Sequence, residues 1–209
     1  MTPSEDDYSR AGMAGHLPWG TRPAVLVVDA VTAYTDPACP LYAGPAAVAA
    51  AATMGRVLDA ARAADVPVYS TYMDVDDTGA NAGLFFRKVA ALRAFQPGSA
   101  FAGFVPESLP GPGDVVIGKQ YPSAFFGTGL AERLAAAGVD TVVLLGYSTS
   151  GCIRASALDA MQHGFVPVVV TDGVADRDPS VHEANLFDIG HKIGELASSA
   201  EILDRGFRP

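Results

Sequence analysis

Only two cysteines, Cys39 and Cys152, occur in this chain of 209 residues, too few for a disulfide framework. Basic residues are scarce: 14 Lys and Arg stand against 23 Asp and Glu, for a net charge of -9. No basic tract exists, so the sequence carries no electrostatic footprint for nucleic acid. An anionic substrate must therefore be caught by individual Arg or Lys side chains rather than by long-range steering. Long apolar runs are missing too. The longest are strand-length, well short of a membrane span, so no membrane partner is expected. The opening residues M-T-P-S-E-D-D-Y are polar and acidic, unlike a secretory signal, and a cytoplasmic location with reduced thiols is expected. Histidine is limited to His16, His163, His182 and His191. No pair of His or Cys has ligand spacing, and Asp74-Val75-Asp76-Asp77 reads as a solvated loop, so no metal and no other cofactor is expected.

What is present is apolar and periodic. Hydrophobic residues make up 49% of the chain, enough for the core of one compact domain over residues 23–209. Residues 1–22 read as an irregular arm with four turn formers (Gly12, Gly15, Pro18, Gly20) and the sole Trp, Trp19, which suggests docking. Continuous apolar runs at 24–28, 67–71, 114–118, 141–146 and 167–171 predict buried parallel strands, with a short last strand at 201–203. Helices are predicted over 45–64, 84–92, 127–137, 152–163 and 179–197; in the first, Met54, Val57, Leu58 and Ala61 form one apolar face. Strands alternating with helices predict an α/β fold: a three-layer, doubly wound, mostly parallel six-stranded sheet with helices on both faces. The connection over residues 74–113 is long enough to suggest a lid or a subunit contact.

Three polar residues stand at the ends of apolar strands: Asp29 after the first, Lys119 after the third and Cys152 after the fourth. In a parallel sheet those ends share one edge, the edge where ligands bind. Cys152 lies in G-Y-S-T-S-G-C-I-R, residues 146–154, where a strand passes into a helix. The helix dipole and a neighbouring ammonium are expected to favour thiolate there. A carboxylate can take the thiol proton and return it to a leaving amine. Backbone N–H groups of the same loop could hold an oxyanion, each such donor typically contributing ~3 kcal/mol. Singly, each residue has a plainer reading: Asp29 as a turn former, Lys119 as a solvated cation, Cys152 as an inert buried thiol. His163 is about 16 Å along its helix from Cys152 and cannot be its base; His182 remains geometrically open.

The order of Asp after strand one, Lys before the middle helix and G-x-S-T-x-x-C opening a later helix resembles the isochorismatase-like cysteine hydrolase superfamily. Segments 82–88 (A-G-L-F-F-R-K), 118–128 (G-K-Q-Y-P-S-A-F-F-G-T), 150–160 (S-G-C-I-R-A-S-A-L-D-A) and 182–189 (H-E-A-N-L-F-D-I) are similar to its N-carbamoylsarcosine amidase and maleamate amidohydrolase branch. The resemblance implies Asp29 as proton acceptor, Lys119 as electrostatic partner and Cys152 as nucleophile. It also implies a cis peptide at Tyr147–Ser148 that aims the Ser148 and Cys152 amides at the oxyanion. Arg177 would grip a substrate carboxylate, its plainer role being a surface salt bridge. Metal-dependent nicotinamidases of the superfamily carry Asp-x-His after the first strand, whereas residues 32–37 here contain no His.

Tyr34, Tyr121, Phe125 and Phe126 could wall the pocket or belong to the core. Arg87 and Lys88 could close over it from the same or a neighbouring subunit. Family members assemble as oligomers, so a dimer or tetramer is expected. The implied activity is that of a metal-free cysteine amidohydrolase releasing ammonia from a small carboxylate-bearing amide or N-carbamoyl compound. Open alternatives are the same triad acting on a larger amide or lactam, and a thiol-bearing binding protein without turnover.

Overall fold

The computed structural model describes residues 5–208 of the chain. Six strands form one sheet: β1 (Pro23–Val28), β2 (Val68–Met73), β3 (Val115–Lys119), β4 (Thr141–Tyr147), β5 (Val166–Ala175) and β6 (Glu195–Ala197). Their order is β3-β2-β1-β4-β5-β6, and every pairing is parallel, where the sequence promised only a mostly parallel sheet. The order reverses between β1 and β4, which opens a crevice at the carboxyl ends of the strands.

Seven α-helices accompany the sheet in the described residues: α1 (Glu5–Arg10), α2 (Pro45–Ala63), α3 (Gly83–Lys88), α4 (Leu130–Ala136), α5 (Arg154–Gln162), α6 (Pro179–Lys192) and α7 (Ser199–Arg205). None is long and apolar enough to cross a membrane. β1 and β4 are buried along their whole length, as two-sided cover by helices requires. Their side chains alternate between two cores. Val25, Val27, Val143 and Leu145 pack with Met54, Val57, Leu58 and Ala61 of α2. Ala24, Leu26, Val142 and Leu144 pack with Leu130 and Leu134 of α4, Ala157 and Ala160 of α5 and Ile189 of α6. Each large aliphatic side chain withdrawn in this way contributes about 1.5–3 kcal/mol.

Four expectations are corrected. Residues 201–203 are helical, not a strand: Ser198 Oγ accepts from Glu201 N while Glu201 Oε2 accepts from Ser198 N at 2.7 Å, a capping box that starts α7. The sixth strand lies earlier, at Glu195–Ala197, because α6 stops at Lys192 just before Gly194. The arm is not wholly irregular, since it includes α1. It docks through Leu17 N donating to Glu195 Oε1 at 2.6 Å and Thr21 N donating to Asp140 Oδ2 at 2.8 Å. Trp19 packs against the first core with the Arg205 guanidinium 4.9 Å from its ring centre. The helix expected over 84–92 divides into α3 and a 3-10 segment, Ala90–Phe95.

Candidate active site

Two backbone features bring the carboxyl ends of β1 and β4 together. Gly146 has φ +121°, and a Cβ there would stand 2.0 Å from Val28 O, so only glycine lets the two strands approach this closely. Asp29, the next residue after β1, takes a left-handed φ of 50°, which Asp tolerates. Its position is fixed from β2: Asp29 N donates to Thr71 O at 3.1 Å, and Thr71 Oγ1 donates to Asp29 Oδ1 at 2.9 Å.

Lys119 closes β3 and is fully buried, as is Asp29; the solvated reading of this lysine is excluded. Its Nζ lies 2.6 Å from Asp29 Oδ2. It donates to Cys152 Sγ at 3.4 Å and to Tyr121 O at 3.1 Å. The Asp29 contact is a buried ion pair at hydrogen-bond distance. The Lys119 pKa is raised: burial works against its charge, but Asp29 and Cys152 outweigh that.

Cys152 sits in a single π-helical turn, Thr149–Ile153, inserted between β4 and α5. The peptide bond Tyr147–Ser148 just before it is cis. Burial pushes the Cys152 thiol up to about 12; the Lys119 ammonium pulls the other way without cancelling it, and the Asp29 carboxylate adds to the rise. The expected thiolate is therefore corrected to a protonated thiol poised beside a carboxylate. Cys39 is buried in the first core, and both cysteines are free.

Cys152 opens onto a cavity of about 210 Å³. Leu41, Phe85, Val89, Leu92 and Phe95 give it an apolar wall, and its polar lining comes from Ser148, Asp176 and Arg177. β5 delivers the last two. Leu144 pairs with Val169 but Gly146 pairs with Val174, so two steps along β4 match five along β5, and the bulge turns the end of β5 toward the crevice. Arg177 Nη2 donates to Pro40 O at 2.6 Å, leaving most of the guanidinium donors unengaged by that contact.

The structure thus brings Asp29, Lys119, Cys152, Ser148, Tyr34 and Arg177 together. Tyr34 is buried on the cavity wall with its ring centre 5.1 Å from that of Tyr147, and burial, then the nearby Cys152 and Asp29, raises its pKa well above the ordinary phenol value. Three of the four candidate wall residues, Phe125, Tyr121 and the exposed Phe126, are not on it. Phe125 belongs to the second core, stacked on His163 and Phe165. The Tyr121 ring packs edge-on against Phe126, and only its carbonyl reaches Lys119. Arg87 and Lys88 are exposed and line no part of the cavity. His182 Nδ1 bonds Thr149 Oγ1 at 2.8 Å. Thr71 and Asp176 were missed by the sequence reading. Thr71, a buried polar residue near the carboxyl end of β2, carried the signal that Asp29 and Lys119 carried.

Among the described residues, no cluster of three or more His, Cys, Asp or Glu is arranged to hold a metal ion.

A model of the isochorismatase domain matches residues 23–201. The chain is 45% identical over 204 residues to maleamate amidohydrolase of Pseudomonas putida, covering 97% of this chain and 94% of that protein. It is 33% identical over 201 residues to N-carbamoylsarcosine amidase of an Arthrobacter species, covering 94% and 75% respectively. Among solved structures, a cysteine hydrolase from Pseudomonas syringae matches with a TM-score of 0.83 over 88% of this chain and 92% of that one, at 24% identity, a likeness of fold.

Proposed function

The chain belongs to the isochorismatase family, and from that premise we propose that it is a cysteine amidohydrolase. Its reaction is cleavage of a terminal C–N bond in a small carboxylate-bearing amide or N-carbamoyl compound, with release of ammonia. The observation that carries the reading is the contact chain Asp29–Lys119–Cys152, whose Cys152 lines a 210 Å³ cavity that Arg177 also lines. Ligand pockets commonly span roughly 300–1,000 Å³. A cavity below that range favours a substrate of a few carbons over a larger amide or lactam.

In this mechanism Asp29 takes the Cys152 proton as Sγ attacks the amide carbon. A protonated resting thiol makes that base necessary. Lys119 remains an ammonium and balances the charge passing between Sγ and Asp29. The Ser148 and Cys152 N–H groups hold the oxyanion. Asp29 then returns the proton to the leaving nitrogen, ammonia departs, and water directed by the same carboxylate hydrolyses the thioester. Arg177 pairs with the substrate carboxylate. The relatives named for maleamate and N-carbamoylsarcosine make compounds of those two kinds the first candidates. Self-association as a dimer or tetramer belongs to the same reading, and Leu84 and Phe126, 73% and 61% exposed, offer apolar surface for it.

The test is ammonia release from maleamate, N-carbamoylsarcosine, N-carbamoylglycine and nicotinamide by wild type and Cys152→Ser. One carboxylate-bearing compound should be turned over, at a rate unchanged by EDTA and lost in the variant. Full activity in Cys152→Ala would end the nucleophile assignment. Arg177→Ala should raise KM for the carboxylate substrate tenfold or more, and an unchanged KM would remove Arg177 from carboxylate binding.

A further inference from the structure

The backbone that would hold the oxyanion is tied both from within its own turn and from outside it. The π turn Thr149–Ile153 receives no side-chain cap at its N-terminus. Its local ties include Gly151 N and Ile153 N, both donating to Ser148 O at 3.1 Å, and Arg154 N donating to Gly151 O and Thr149 O. Two further ties come from outside, and both originate in the segment that leads from β5 into α6. Asp176 Oδ2 accepts from Ser150 N at 2.8 Å. His182 Nδ1 meets Thr149 Oγ1 at 2.8 Å, and Thr149 is fully buried, so its hydroxyl has no recourse to water.

His182 is itself fixed. It lies in the first turn of α6, where Asp178 Oδ1 accepts from Ser180 N at 2.8 Å and from Val181 N at 3.3 Å as the helix cap. His182 N donates to Asp178 O at 3.0 Å. The ring is half-buried. Burial lowers its pKa, opposed by the carboxylates of Asp176 and Glu183 that face it, and a neutral imidazole can pair with a hydroxyl in either tautomer. The ring does not line the cavity. Removing it therefore takes nothing from the cavity wall.

We propose that His182 is a positioning residue of the nucleophile loop, holding Thr149 so that the Ser148 and Cys152 amides face the oxyanion, with Asp176 as the second tether. The assignment rests on the amidohydrolase reading for its kinetic consequence but not for its structural one. An oxyanion forms only along the reaction path, so misplaced donors lower kcat and leave ground-state binding nearly intact. Asn at position 182 can present a polar atom where the Nδ1 of histidine stood; Ala cannot.

The experiment compares wild type, His182→Ala, His182→Asn, Thr149→Val and the double variant His182→Ala/Thr149→Val. Their kinetics on the substrate that wild type turns over are measured alongside hydrogen–deuterium exchange of residues 148–153. Expected are a kcat at least tenfold lower in His182→Ala with KM within twofold, and a kcat within threefold of wild type in His182→Asn. The double variant should be no worse than the poorer single one, since both remove the same bond. Exchange should accelerate in 148–153 for His182→Ala and Thr149→Val and stay near wild type for His182→Asn. A kcat within twofold of wild type in His182→Ala, a rise in KM alone, or unchanged exchange in 148–153 would overturn the proposal. If His182→Ala fails to fold, Thr149→Val decides by the same readings. Wild-type silence toward every amide would sink the amidohydrolase reading alone, and the exchange measurement would still decide the role of His182.

Discussion

Burying a thiol beside a carboxylate and an ammonium sets opposing pulls on one proton, and at Cys152 burial prevails. The consequence for stability has a definite sign. The folded-state pKa is raised from 9.0 to about 12, so this group's contribution is fully present below pH 9 and is lost as the pH climbs toward 12. Cys152→Ser has no thiol to titrate in this range, and its melting temperature should fall less than that of wild type between pH 7 and 10.5. The difference at the upper end should be about 2 kcal/mol. Parallel melting curves for the two proteins would show that the thiol is not held protonated by the fold. Tyr34, also raised by burial, contributes an alkaline loss common to both. Sequence placed Asp29, Lys119 and Cys152 on one edge because each is polar at the end of an apolar strand. It could not weigh burial against the helix dipole, since the depth of a side chain depends on what packs over it. Phe125 was left open between pocket wall and core for the same reason: the residues that enclose it, His163 and Phe165, lie about forty positions away.

At the scale of elements, strands buried on both faces were the most legible, because continuous runs such as residues 24–28 have few other readings. The chain between α6 and α7 was the least legible. Glu201-Ile202-Leu203 looks like a short strand until Ser198 three residues before Glu201 is read as a cap, and the two signals compete on local sequence alone. The bulge in β5 was invisible, since it is a mismatch between two strands rather than a property of either. Gly146 shows how tightly β1 and β4 depend on each other. Gly146→Ala would set a methyl 2.0 Å from Val28 O at a φ unfavourable for alanine. Overpacking and backbone strain together should cost at least roughly 3 kcal/mol. A urea midpoint equal to that of wild type would mean that the strands can separate without loss.

For the molecule as a whole, the arm and the domain should behave as one cooperative unit. Trp19 packs on the first core and is flanked by hydrogen bonds to Glu195, Thr141 and Asp140. As the only Trp, it reports on the arm alone. Its fluorescence and the far-UV circular dichroism should therefore share one urea transition. An earlier fluorescence change would separate the arm from the domain and favour the division at residue 22. The doubly wound order was foreseeable in kind, because alternating strands and helices leave few topologies once crossovers are right-handed.

The buried pair of Asp29 and Lys119 has a consequence for descent as well as for chemistry. Deleting either partner strands the other charge in the interior, a loss of about 3–5 kcal/mol that a marginally stable fold rarely survives. Single-step drift at either position is thereby closed, whatever the chain does for its host. Cys152 is neutral at rest and of a size with serine or alanine, so it is free to change once turnover is no longer under selection. A descendant that had retired from catalysis would still carry the ion pair, and the thiol would be the first of the three to go.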